Sequence, residues 1–164
     1  MGLYLARRDG VAAEPCQVNF GRGADNNNPQ VTPACRTANV GGFWAIQHVT
    51  NGTVAATEST GKACVQGETA LLVLRFQFGV GGVSSNHVVS LYLNPTDYTL
   101  GVAPPATPDA VLNIAGDAAF QFDGIDFYPS DSPLQGSFDE FRLGTSYAAV
   151  TPTTIARGTV VILR

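Results

Sequence analysis

The nine residues Ala70–Phe78 read ALLVLRFQF, and only Arg75 and Gln77 among them are polar. A run this short, rich in branched and aromatic side chains and bounded by turn-forming residues, suits a strand better than a helix. Successive side chains of a strand point to opposite faces, so a run apolar at nearly every position must be covered on both sides. The expectation is a central strand with protein packed above and below it.

The neighbouring segments fit such a strand. His87–Leu93 (HVVSLYL) alternates enough to turn one face to a second layer or to solvent. Further strands are expected at Gly2–Arg7, Cys16–Gly21, Gly42–Val49, Val111–Ile114, Ala119–Tyr128, Ser137–Gly144 and Gly158–Leu163, with the central strand running to Gly79. The chain's 18 glycines and 10 prolines are scattered along the whole length and break the apolar segments into short pieces. Nine short strands of this kind describe an all-β sandwich or jelly roll. Two loops are long, Arg22–Gly41 and Asn94–Asp109, and the second holds Pro95, Pro104, Pro105 and Pro108. Loops of that size in a compact domain are usually functional or mobile. One helical turn is expected at Ser146–Val150, stopping before Thr151-Pro152 because proline disfavours helix at the residue before it.

A length of 164 residues and a hydrophobic share of 45% are enough to fill the core of one domain. The formal net charge of −4, with Lys62 the lone lysine and no basic run longer than Arg7-Arg8, would repel phosphate backbones, so nucleic acid is not an expected partner. No stretch approaches the roughly 18 apolar residues of a membrane-spanning helix, and no membrane partner is expected. The opening MGLYLARRDG lacks the basic start, apolar stretch and small-residue cleavage site of a signal peptide, so export would need a signal that this sequence does not contain. Cys16 and Cys35 flank a Gly/Asn/Pro-rich loop. A disulfide closing it would stabilise by roughly 3 kcal/mol on the chain-entropy model, the alternative being buried free thiols. Cys64 is then left over, and neither His48 nor His87 stands at zinc-ligand spacing from the cysteines. Asn51-Gly52-Thr53 fits a glycosylation acceptor, a tripeptide common by chance.

Four pieces in order carry a family likeness: GGFWA at Gly41–Ala45, LLVLRFQF at Leu71–Phe78, VVSLYLNPT at Val88–Thr96 and GSFDEFRLGTSYAAVTP at Gly136–Pro152. Together they resemble a group of bacterial concanavalin A-like lectin/glucanase domains related to laminin-G-type modules. In that group a strand carrying Arg precedes one ending in Asn-Pro, and a late Asp-Glu-x-Arg-x-Gly strand leads into a short turn of the Thr-Ser-Tyr-Ala type. The resemblance covers about Gly2 to Pro152 and implies one antiparallel jelly-roll β-sandwich over residues 1–152, followed by an apolar strand or tail at 153–164. Two departures matter. Strand-forming sequence usual in the group upstream of GLYLARRDG is not present here, and TTIARGTVVILR adds a strand. Either Thr159–Leu163 folds back and closes its own sheet, or it fills the open edge of the next subunit by strand addition.

The glucanases of this superfamily place acid and nucleophile on one strand, about 5–5.5 Å apart, in a Glu-x-Asp-x-x-Glu pattern that this sequence lacks. Asp123 and Asp126 come nearest, but a two-residue period sends them to opposite faces unless Gly124 forms a bulge. Asp139 and Glu140 are adjacent and fail likewise. No Gly-x-Ser-x-Gly elbow is present, and His48 and His87 read as ordinary surface or edge residues. By resemblance, Asp139 with Arg142 matches a strand whose aspartate ligates a structural calcium together with backbone carbonyls; otherwise Asp139 pairs with an arginine or caps a loop. Asp25-Asn26-Asn27-Asn28 is a second oxygen-rich patch, or simply a turn.

Sugar sites on this fold set aromatic rings beside amides or carboxylates, on the concave sheet or its rim. The expected ligand-binding residues are Tyr98, Trp44, Tyr92 and Asn94, with Tyr128, Tyr147, Asn113 and Gln47 as further candidates. Tyr98, in the proline-rich loop, is the one expected to be exposed, whereas Trp44 is either a platform or a packed core residue. The sequence therefore points to a non-catalytic extracellular or cell-surface domain that binds a polysaccharide or glycan or mediates adhesion, or to a subunit that assembles into a filament or coat through its tail, with a divergent hydrolase acting through Asp123 or Asp126 as a third reading.

Overall fold

The computed structural model describes the backbone of residues 2–6, 17–21, 34–40, 42–50, 53–63, 69–95, 101–118, 120, 124–128, 140–151 and 159–163. Side chains are described over 42–48, 54–63, 70–95, 101–118, 120 and 142–151. The strands are β1 (Gly2–Ala6), β2 (Gln17–Gly21), β3 (Ala34–Val40), β4 (Phe43–Thr50), β5 (Thr53–Ala63) and β6 (Thr69–Phe78). Then come β7 (His87–Leu93), β8 (Ala110–Ile114), β9 (Gly124–Tyr128), β10 (Glu140–Gly144), the helical turn α1 (Tyr147–Val150) and β11 (Thr159–Leu163). The chain is all-β, in two sheets that are mostly antiparallel. One follows the order β10-β11-β6-β7-β8, with β1 also paired to β6, and the other runs β5-β4-β3-β2-β9.

The expected central strand is β6, and its alternation builds two cores. Ala70, Leu72, Leu74 and Phe76 join Val89, Leu91, Leu93, Ala110, Leu112 and Ile114 of β7 and β8. Trp44 and Ile46 of the other sheet complete this cluster with Phe120, so the two sheets share one apolar core. Leu71 and Val73, on the opposite face of β6, pack with Tyr92, Tyr147 and Val150 under α1. Each fully buried Leu, Val or Phe contributes about 1.5–3 kcal/mol, which is why β6 tolerates so little polarity.

The late motif folds as a cap on this outer face. Ser146 accepts a hydrogen bond from the Ala149 N–H at 3.2 Å and starts the turn, as an N-cap serine does. Tyr147 meets Tyr92 edge-on, with ring centroids 6.4 Å apart. At Gly144 an added Cβ would stand 2.5 Å from the Val150 Cγ1, so α1 can lie this close to β10 only over glycine.

Three expectations change. The segment expected as the loop Arg22–Gly41 contains β3, whose run ACRTANV is too polar to announce a strand. β5 was not expected at all: TVAATESTGKA lies at a sheet edge, and its described side chains are exposed or half-buried, so no apolar pattern is required of it. β7 turns one face to the second sheet, one of the two outcomes expected of it, and Tyr147 and Val150 cover the side that Tyr92 occupies. The sheets are also not wholly antiparallel, since β11 runs parallel to both β10 and β6. A crossover through α1 makes that possible, as parallel neighbours need a connection of about a dozen residues or more. β11, the expected extra strand, thus lies within the sheet of its own chain. Residues 16, 119, 121–123 and 137–139 of the strands expected to start at Cys16, Ala119 and Ser137 fall outside the described residues, and Phe120, which is described, is not in a strand.

Candidate functional site

The Asn94–Asp109 loop is fastened at both ends by side chains that bond to backbone. Asn94 adopts φ 48°, the one positive φ of a non-glycine among the described residues, a conformation that asparagine tolerates better than most side chains. Its N–H donates to the Leu71 carbonyl at 2.7 Å, and its Oδ1 accepts from the Leu71 N–H at 2.7 Å. The side-chain oxygen thus extends the β6–β7 ladder one step past the Leu72–Leu93 pair. At the other end the Asp109 N–H donates to the Leu91 carbonyl at 2.8 Å, and Asp109 Oδ2 accepts from the Leu93 N–H at 2.6 Å. Asp109 Oδ1 lies 2.6 Å from Lys62 Nζ of β5, an ion pair between the sheets.

A third fastening reaches the loop from α1. The Gly101 N–H donates to Thr151 Oγ1 at 2.8 Å, and that hydroxyl donates to the Tyr147 carbonyl at 2.8 Å. Next to the held Gly101, Val102 is 73% exposed. The loop is therefore tied to the scaffold while part of it faces solvent, the usual arrangement for a segment that meets a partner.

A second polar group lies between the sheets. Both histidines of the chain meet Asp117: His48 Nε2 is 3.2 Å from Asp117 Oδ2, and His87 Nε2 is 2.9 Å from the Asp117 carbonyl oxygen. A carbonyl can only accept, so Nε2 of His87 carries the hydrogen. Its Nδ1 is buried with no hydrogen-bond partner, in a residue 4% exposed. Phe120 lies against both imidazoles, at centroid distances of 5.6 Å and 5.1 Å, and Phe78 meets His87 edge-on at 5.5 Å. The Asp117 N–H donates to the Ser85 carbonyl at 3.0 Å, which ties the group to the β6–β7 turn. A histidine beside a carboxylate has the form of a general base. Here both Nε2 atoms face Asp117 and Phe120 lies against both rings, so the group joins β4 to β7.

This corrects the expectation that His48 and His87 sit at the surface or an edge. The signal was their phase: His48 follows Trp44 and Ile46 at two-residue spacing, and His87 precedes Val89, Leu91 and Leu93, so both lie on inward-facing rows. Asp117 lies in a connection and carried no such signal.

The expected sugar-binding residues are separated by the fold. Trp44 is 5% exposed and Tyr92 is 3% exposed, so neither ring offers a face to a pyranose; one fills the inter-sheet core and the other packs under α1. Tyr147 is buried, Gln47 is buried with its Nε2 donating to Thr57 Oγ1 at 3.2 Å, and Asn113 is exposed on β8. Asn94 is exposed, with its Oδ1 engaged on Leu71. Tyr98, Asp139, Asp123, the Asp25-Asn26-Asn27-Asn28 patch and Cys16 lie outside the described residues. So does the side chain of Cys35, whose backbone stands opposite His48 in the β3–β4 pair, and with it the expected disulfide. Among the described residues no group of three or more His, Cys, Asp or Glu could hold a metal ion, and no helix is long and apolar enough to cross a membrane. Compared with family models, curated proteins and solved structures, the chain matches none.

Proposed function

We propose that the chain is a non-catalytic extracellular domain of concanavalin A-like jelly-roll build that binds carbohydrate or mediates adhesion, with the Asn94–Asp109 loop as its contact segment. The observation that carries this proposal is the fastening of that loop through Asn94, Gly101 and Asp109. A loop tied to its scaffold at several points before binding loses less conformational entropy when a ligand arrives, so more of the contact energy appears as affinity. By sequence position Tyr98 falls between the first two fastenings, and an aromatic ring there would cover the apolar face of a pyranose. Trp44 and Tyr92 have no part in the contact.

A glycan array and polysaccharide pull-down, run with and without calcium, test the proposal. Binding that falls about tenfold or more in Tyr98→Ala, at an unchanged melting midpoint, is the expected result. Blank arrays under both conditions would overturn it. Calcium belongs to the proposal through Asp139, since one carboxylate with several backbone carbonyls suffices for a hard cation that takes oxygen ligands. Adding calcium to chelated protein should raise the melting midpoint, and Asp139→Ala should abolish that response. An equal calcium response in the variant would remove Asp139 as the ligand.

A further inference from the structure

One edge of β6 is covered by two separate segments placed end to end. β1 runs antiparallel along it from Thr69 to Val73, and β11 runs parallel along it from Val73 to Arg75. Both reach Val73, opposite Gly2 and Val161 respectively. On its far side β11 pairs with β10 over Glu140–Gly144. We propose that the file between β6 and β10 is a seat for strand exchange, in which Thr159–Leu163 of a second copy of this chain takes the place of the resident β11.

Three features point to this partner. The edge of β6 carries an antiparallel strand over Thr69–Val73 and a parallel one over Val73–Arg75, so the seat of β11 starts where β1 ends. β11 is held to β6 through three register pairs and reads TVVIL, a β-branched run suited to any open strand position. Its loss would leave Val73–Arg75 and Glu140–Gly144 with unpaired backbone donors and acceptors, which a strand satisfies best. A copy of β11 arriving from another molecule makes the same contacts as the resident strand, so exchange alters only the path of the residues that lead into it. This inference is independent of the carbohydrate proposal.

Two measurements test it. Light scattering on the unmodified chain, refolded from denaturant over a range of concentrations, is expected to give a mass that is a multiple of the single chain's. A single-chain mass at every concentration would overturn the proposal. The second uses Arg75→Cys with Leu163→Cys, a register pair across β6 and β11, in equal amounts of ¹⁵N-labelled and unlabelled protein refolded together and joined by a short bismaleimide. Mass spectrometry of the peptides joined through the two introduced thiols should find mixed-isotope pairs as abundant as the like pairs together. A multiple mass with only like-isotope pairs would also overturn it, because the copies would then meet through another surface. The light-scattering result stands on the unmodified chain even if the double variant does not fold.

Discussion

Asp117 and Asp109 are each placed where two parts of the chain meet, yet their surroundings give them different tasks. Asp117 lies between the sheets, receives both histidines and has Phe120 packed against those rings. Asp109 lies at the rim of one sheet, bonds the Leu93 N–H beside it and shares its second oxygen with a half-exposed lysine. The two carboxylate side chains are almost equally exposed, at 17% and 22%, and the difference lies in their partners, a buried histidine for Asp117 and a half-exposed lysine for Asp109. An aspartate met by buried histidines from both sheets therefore bears on how the layers stay together, and one on the rim bears on how a loop is held. The sharpest way to break the comparison is Asp117→Ala. It removes the acceptor of His48 Nε2 and leaves the carbonyl that His87 uses, and the expected loss is about 1.5–3 kcal/mol in denaturant midpoint, as for a hydrogen bond to a charged group. Glycan binding should be unchanged; a loss of binding at full stability would place Asp117 in the ligand site instead.

Asp109→Ala should have a smaller effect on stability and a larger one on the loop. The Leu93 N–H loses a charge-assisted acceptor whose side chain is 22% exposed, so about 1 kcal/mol is expected from equilibrium unfolding. Affinity for the glycan found by array should fall, because the far end of the loop keeps only its backbone bond to the Leu91 carbonyl as a tie to β7. Unchanged affinity would mean that Asn94 and Gly101 hold the contact segment without it.

How much of this was legible in the sequence depended on whether burial demanded a pattern. ALLVLRFQF announced β6, and HVVSLYL gave β7 its bounds, His87–Leu93, because both strands lie inside and every position is constrained. The edge strand β5 carries no such constraint, and TVAATESTGKA reads as loop for that reason. The cover over Tyr92 was also hidden, because Tyr147 and Val150 reach it from a one-turn helix some fifty residues later, and only the close approach over Gly144 brings them there. In the candidate site, Asn94 and Asp109 were visible as the two ends of a proline-rich loop. That their side chains bond to Leu71 and Leu93 follows from the register of β6 on β7, which no local pattern states. His48 and His87 stood in phase with their apolar neighbours and could have been read as buried. Their meeting at Asp117, 69 and 30 residues away, needed the sheets to be stacked first.

The smallest expected effect belongs to Lys62, and it separates the two roles of Asp109. The Lys62 side chain is half exposed, so although its Nζ lies 2.6 Å from Asp109 Oδ1, the pair is open to solvent and to salt. Such pairs typically contribute between 0 and about 1 kcal/mol. Lys62→Gln should therefore shift the unfolding midpoint slightly at low ionic strength and not at all near 1 M salt, where screening acts within about 3 Å. The bond from the Leu93 N–H to Asp109 Oδ2 does not involve the lysine and should survive the substitution. A double-mutant cycle of Lys62→Gln with Asp109→Ala isolates the ion pair from that bond. A coupling below about 1 kcal/mol that vanishes in salt leaves the backbone bond as what holds the loop. A coupling that persists in salt would mean that Lys62 fixes the carboxylate's orientation on Leu93, and that the loop's fastening extends across both sheets.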